Sequence, residues 1–220
     1  MIIKAKPLSP FFFNLVSAIV WMILRRRFNK AVINEAVIKP GHSYILMCNH
    51  FSFLDGFFLG YLSRKVIWKK GGMKRLYIMS LKKQMQKNKW LKYMGSFSVE
   101  PGRRSINESV DYAAEVLGQP GNVLLFFPQG KLESSHIRHI QMEHGIKEIA
   151  HRIKGNCQLI WCSTTLEYFE STKPSVYFDM LDCGTTAEFD MDIFQKKVND
   201  FHRESISKHI RFTNEHIQYH

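Results

Sequence analysis

Cysteine is scarce in this chain and placed for none of its usual roles. Cys48, Cys157, Cys162 and Cys183 form no CxxC pair, so the sequence encodes neither a zinc site nor the disulfide framework of a small secreted domain. A reducing, cytosol-facing location is the expectation. Acidic residues are also in deficit, 19 against 31 Lys and Arg, which leaves a formal charge of +12. That balance favours polyanionic partners, either nucleic acid or anionic lipid headgroups. Internal repeats, low-complexity tracts and linkers are absent. So is an apolar run of the ~20 residues that a spanning helix needs. The nearest approach is residues 8–24, interrupted by Ser9, Pro10, Asn14 and Ser17 and followed at once by Arg25, Arg26 and Arg27. Its phenylalanines and basic flank suit insertion into one leaflet, against the alternative of an ordinary buried helix. A cleavable signal peptide fits poorly, because the strong positive cluster lies on the wrong side of the apolar run and no small-residue cleavage site precedes it.

What is present is enough for one domain over residues 1–220, since 45% of the residues are hydrophobic. Turns are signalled at Pro40-Gly41, Gly71-Gly72, Pro101-Gly102, Pro120-Gly121 and Gly155-Asn156. Continuous apolar runs at 44–47, 123–127 and 159–162 read as buried strands. Helical spacing is expected over 81–93, 140–153 and 193–210, and over 106–117. There Ser105 and Glu108 would form a capping box, and Ile106, Val110, Ala113 and Leu117 share one face before Gly118. Strands alternating with helices predict an α/β fold: a mixed central sheet flanked by helices, preceded by a membrane-associated helical segment over residues 8–27.

Three segments carry candidate chemistry. Asn49-His50-Phe51-Ser52-Phe53-Leu54-Asp55-Gly56 lies between an apolar strand and an apolar helix, and such junctions at the carboxyl ends of strands are where open α/β sheets bind ligands. With Ser52 as N-cap, Asp55 is the N3 residue, and the chain reversal can bring it beside His50 to fix the imidazole tautomer. A capping Asp with a nearby surface His explains the same spacing without chemistry. Phe127-Pro128-Gln129-Gly130-Lys131 ends a strand in a glycine turn with a flexible cation; a solvated turn is the plain alternative. Arg103 and Arg104, just before a helix N-terminus, make a reasonable anion site or a solvated charge pair.

In this order the segments resemble the glycerolipid acyltransferase superfamily. Asn49, His50, Ser52 and Asp55 match its N-H-x-S-x-x-D motif, residues 95–104 resemble its glycine–strand–arginine motif, and residues 127–134 resemble F-P-E-G-T-R-S. The resemblance extends over roughly residues 43–168. It implies acyl transfer from a thioester, acyl-coenzyme A or acyl carrier protein, to a lipid hydroxyl, with His50 as base and Asp55 as its partner. Asn49, Ser52, Arg103, Arg104, Gln129, Gly130 and Lys131 would then contact substrate, and no metal or cofactor is implied. Gln129, Lys131, Leu132 and Glu133 stand where the motif has glutamate, threonine, arginine and serine, and Pro101 where it has arginine. These departures weaken the expectation of a lysophosphatidic acid acceptor.

Two other classes compete. A catalytically silent lipid-binding protein of the same fold explains the departures but not the retention of both His50 and Asp55. A nucleic-acid binder is suggested by Lys69-Lys70, Lys82-Lys83 and the lysines of 87–92, but no nucleic-acid motif surrounds them. His136, His139 and Glu143 would share a helical face that suggests metal, against the simpler reading of an exposed basic helix.

Overall fold

The computed structural model describes residues 1–102, 105–169 and 171–209. Seven strands form one mixed sheet: β1 (Ala31–Asn34), β2 (Ser43–Cys48), β3 (Arg75–Leu81), β4 (Ser96–Val99), β5 (Asn122–Phe126), β6 (Cys157–Glu167) and β7 (Ser175–Thr185). Their order across the sheet is β1-β7-β6-β2-β5-β3-β4. All neighbours run parallel except the β6–β7 pair. Central β2 is buried at every position, which is why it reads as an unbroken apolar run rather than an alternating one. Met47 is level with Phe126 of β5 on one side and Trp161 of β6 on the other. The loops that follow β2 and β5 therefore emerge side by side at the carboxyl edge.

Helices cover both faces. On one lie α1 (Pro10–Arg27) and α2 (Asp55–Leu62), the latter continuing through a π-helical segment, Ser63–Trp68, into α3 (Lys69–Gly71). Phe13, Leu24, Phe58 and Leu62 pack there on Leu46, Leu125 and Phe178. On the other lie α5 (Ile106–Leu117), α6 (Gly145–Arg152) and α7 (Met191–His209), whose Val110, Ala113, Ile146, Ile149 and Val198 pack on Ile45, Leu124 and Trp161. Ile45, Leu46 and Met47 are each wholly buried, and truncating any one to alanine typically removes about 2–5 kcal/mol. The strand that carries His50 is thus anchored from both sides.

The expected strands and the α5 stripe occur where the sequence placed them; other local expectations need correction. No Ser105 capping bond forms at α5, where Ser105 has helical backbone angles (φ −66°, ψ −7°) rather than the extended ones of a capping residue, and its hydroxyl donates to Glu100 Oε2 at 3.2 Å. The expected helix over 81–93 is broken: Leu81 ends β3, α4 covers Lys82–Lys87, and a 3-10 segment covers Lys89–Met94. Asn88 closes α4 by donating both its backbone N–H (2.9 Å) and its side-chain amide (3.2 Å) to the Gln84 carbonyl. Gly95 then turns the chain into β4 at φ +89°, where a Cβ would stand 2.2 Å from the Leu76 carbonyl oxygen. The helix expected over 140–153 shortens to α6 because α7 side chains take the backbone before it: the Asn199 amide both accepts from Ile140 N (2.6 Å) and donates to Ile140 O (3.1 Å). His136, His139 and Glu143 therefore share no helical face. The helix expected over 193–210 is α7, Met191–His209; Ile210 lies outside the described residues. Residues 1–6 shield the β4 edge, with Ile3 N donating to Ser98 Oγ at 2.8 Å and Ser98 N to Ile3 O at 3.0 Å, a common protection for an exposed strand.

Candidate active site

At the end of β2 the Asn49 side chain ties the loop to β6, donating to Thr164 O at 2.9 Å and accepting from Thr164 N at 2.7 Å. It acts on the loop, with both ends of its amide committed to one peptide segment. The chain then turns through residues 50–54 into α2. Asp55 is 1% exposed, and its Oδ2 accepts three hydrogen bonds: from His50 Nδ1 at 2.8 Å and from the backbone N–H of Phe51 and Ser52, each at 2.9 Å. The expected capping box with Ser52 as N-cap does not form: Leu54 is the N-cap and Asp55 the first helical residue. The Ser52 hydroxyl accepts from Leu54 N at 3.1 Å and the Asp55 N–H goes to the Ser52 carbonyl, so Asp55 braces the loop before the helix rather than its first turn. A carboxylate only accepts, so the proton between the two residues sits on His50 Nδ1 and the Nε2 lone pair is available. The imidazole stacks on Phe127, with ring centroids 4.2 Å apart and planes 25° apart.

The loop after β5 meets the same histidine from the other side. Gln129 is 1% exposed; its Oε1 accepts the His50 backbone N–H at 2.6 Å, and its amide nitrogen donates to Glu133 Oε2. Glu133 N–H in turn donates to the His50 carbonyl at 2.9 Å. Lys131 is exposed and pairs with Glu133 Oε1 at 3.2 Å. The Gln129 hydrogen bond, then the Lys131 charge, hold the Glu133 carboxyl below its ordinary range against the opposing pull of burial. Gly130 adopts φ +67°, a region that favours glycine, and a Cβ there would approach Glu143 Cγ to 3.1 Å.

His50 opens onto a cleft of about 890 Å³. Phe13, Val16 and Val20 of α1, Phe57 and Tyr61 of α2 and Ile78 of β3 line one part, and Val110 of α5 and Ile149 of α6 line another. Phe53, Leu81, Trp90 and Leu132 are exposed and also line it. Only a stripe of α1, at Phe13, Ser17 and Leu24, is buried; Phe11 (73%), Phe12 (55%), Leu15 (51%) and Ile19 (46%) face outward. Among the described residues no helix is long and apolar enough to cross a membrane.

The structure brings His50, Asp55, Gln129, Gly130 and Lys131 together, with Asn49 and Ser52 bracing the loop. Arg103 and Arg104 lie outside the described residues, while the neighbouring Pro101 and Gly102 line the cleft. Burial pushes the thiol of Cys48, next to this loop, well above its ordinary value and those of Cys157, Cys162 and Cys183 up to about 12, so none supplies a thiolate nucleophile near neutral pH. Among the described residues no group of three or more His, Cys, Asp or Glu side chains is placed to hold a metal. The sequence reading missed the stacking of Phe127 on His50 and the anchoring of Gln129 by Glu133. Phe127, at the head of F-P-x-G, was the one visible signal.

A mixed α/β sheet thus carries a carboxylate-paired histidine at its carboxyl edge, opening on a large apolar cleft. Residues 29–163, more than half of the chain, match the Acyltransferase family, and the chain belongs to it. The fold is similar to that of the 1-acyl-sn-glycerophosphate (LPA) acyltransferase PlsC from Thermotoga maritima, with a TM-score of 0.57 over 90% of this chain and 79% of that one, at 11% sequence identity. At that identity the likeness is one of fold. No curated protein sequence matches the chain.

Proposed function

We propose that this acyltransferase moves a fatty acyl group from acyl-coenzyme A or acyl carrier protein to a lipid hydroxyl at a membrane surface, with His50 as general base and Asp55 as its orienter. The observation that carries this reading is the 2.8 Å His50 Nδ1–Asp55 Oδ2 bond beside the apolar cleft. Nε2 takes the proton of the acceptor hydroxyl as its oxygen attacks the thioester carbonyl carbon. The tetrahedral intermediate then collapses, the C–S bond breaks, and the imidazolium returns the proton to the departing sulfur, leaving an ester and a thiol. Asp55 stabilises the transient imidazolium. No group outside the chain and its two substrates is needed for the balance.

The exposed aromatic face of α1 and the net charge of +12 support monotopic or peripheral attachment to an anionic, cytoplasm-facing leaflet. The pairing of Lys131 with Glu133, together with Leu132 where the family motif has arginine, supports an acceptor other than lysophosphatidic acid. A lysophospholipid with a larger headgroup, a glycolipid or an aminolipid fits better, since no bidentate arginine is built into this turn.

The test is thiol release and product formation with long-chain acyl thioesters and a mixed lysolipid extract. Turnover by the parent and its loss of about 10²- to 10⁴-fold in His50→Ala are expected. Equal turnover by His50→Ala removes the base assignment, and no turnover by the parent with any donor or acceptor favours a silent lipid-binding module.

A further inference from the structure

The His50 peptide is held at both ends by a single turn. Its N–H donates to Gln129 Oε1 at 2.6 Å, and its carbonyl accepts from Glu133 N–H at 2.9 Å. The two residues that hold it are themselves joined, Gln129 Nε2 to Glu133 Oε2. Each direction is forced by chemistry. A backbone N–H can only donate, so the Gln129 atom that faces it is oxygen; the nitrogen must then face Glu133, whose carboxylate can only accept. A glutamate at position 129 would also accept from His50, but it would set a second carboxylate against Glu133. The amide at position 129 is therefore matched to the carboxylate at position 133.

We propose that Gln129 and Glu133 form a coupled positioning pair for the base: the Glu133 carboxylate fixes the Gln129 amide, and the amide fixes the backbone that presents the imidazole to Asp55 and Phe127. The carboxylate that the resembling motif carries at position 129 is here supplied from position 133. Glu133 is 22% exposed and its second oxygen is held by Lys131, so both oxygens are engaged and the carboxylate is fixed in place. Neither residue is assigned a proton transfer. Their role is the placement of His50, where misplacement of about 1 Å is enough to lower a catalytic rate about 100-fold. This inference rests on the reading of His50 as the base.

The pair predicts rescue by exchange. Four full-length proteins are compared for kcat and KM in thioester turnover, with Tm as the folding control: the parent, Gln129→Glu, Glu133→Gln, and the double exchange Gln129→Glu/Glu133→Gln. Glu133→Gln keeps an acceptor for the Gln129 amide and should lose no more than about 3-fold in kcat, because a charged hydrogen bond becomes a neutral one. Gln129→Glu should lose about 30-fold or more in kcat with KM changed little, since two carboxylates then face each other in a partly buried site. In the double exchange the carboxylate now at position 129 accepts from both the His50 N–H and the amide now at position 133. Its kcat should therefore return to within about 5-fold of the parent, a non-additivity of the kind seen for residues in one network.

A double exchange no more active than Gln129→Glu, or Gln129→Glu within about 3-fold of the parent, overturns the inference. If Gln129→Glu does not fold, Glu133→Ala replaces it. Loss of the acceptor should cost Glu133→Ala about 10-fold or more in kcat relative to Glu133→Gln, and equal kcat values overturn the pair. His50→Ala separates the two levels. An active His50→Ala ends both the base reading and this one, whereas an inactive His50→Ala beside a fully active Gln129→Glu ends this one alone.

Discussion

Replacing Asp55 by asparagine tests the site at the atom that organises it. In the parent, Oδ2 accepts from His50 Nδ1, Phe51 N and Ser52 N, while Oδ1 is buried without a protein partner among the described residues. Asparagine has one oxygen, and all three N–H groups require it at the Oδ2 position. Its amide nitrogen must then occupy the Oδ1 position, buried and without an acceptor. Hydrogen bonds to charged groups are worth about 1.5–3 kcal/mol and neutral ones about 0.5–1.5, so three conversions lose roughly 3 kcal/mol, and the unsatisfied donor costs about 1–3 more. Burying a neutral amide instead of a carboxylate returns part of this. A net loss of stability of about 2–4 kcal/mol is expected, which a folded protein survives with a lowered Tm. The effect on turnover is larger. An imidazolium without its carboxylate partner loses about 10³- to 10⁴-fold in kcat, or roughly 4–5.5 kcal/mol at about 1.36 kcal/mol per tenfold, with KM nearly unchanged. The assay is continuous thiol release checked against labelled lipid product, for Asp55→Asn, His50→Ala and the double variant. Because the two residues act as a unit, the double variant should fall within about 3-fold of His50→Ala. An Asp55→Asn protein within about 10-fold of the parent, or a double variant that falls by the product of the single losses, refutes the orienting role.

Attachment to the membrane should depend on the outward residues of α1. The triple variant Phe11→Ser/Phe12→Ser/Ile19→Ser is expected to weaken sedimentation with anionic liposomes by about 100-fold or more, since each fully buried apolar side chain contributes about 1.5–3 kcal/mol, while Tm stays within about 2 °C; unchanged binding would remove α1 as the contact. In competition for one labelled acyl donor, lysophosphatidic acid should not have the highest kcat/KM. A result in which it does, and in which Lys131→Ala selectively lowers it, reverses the reading of the turn. Stability should also depend on pH through His202, which is fully buried with Nε2–H donating to the Ile137 carbonyl at 3.1 Å and Nδ1 accepting from the Ser163 hydroxyl at 3.0 Å. Burial lowers its pKa in the folded protein. The unfolded chain therefore binds the proton first, at about pH 6.5, and stability falls as pH drops from there toward the folded value. Tm should decline below about pH 6.5, and His202→Gln should flatten that decline; an identical slope in the variant would place the acid sensitivity elsewhere.

The elements written most plainly in the sequence are those whose signal is local. Strands β2, β5 and β6 are buried on both faces, so their runs are apolar throughout, and α5 buries a single stripe that recurs at helical spacing. The His50–Asp55 pairing was legible for the same reason, because five residues and one helix start are enough to close it. Contacts between distant segments were not. The helix expected over 140–153 lost its first turns to Asn199 and Gln195 of α7, more than fifty residues away, which outcompete helical bonding for the backbone of Ile140 and Met142.

The pairing of His50 with Asp55 was thus largely a property of the sequence, since a histidine and a carboxylate five residues apart can be joined by one turn of chain. The form of the site belongs to the tertiary structure alone. Parallel pairing of β2 with β5 at a common level is what sets the His50 loop against the turn of residues 127–133, separated by about eighty residues of chain, and so couples His50 to Gln129 and Gln129 to Glu133. The cleft is likewise assembled from α1, α2, β3, α5 and α6. No local pattern encodes it, because its walls are made by the packing of helices on both sides of the sheet.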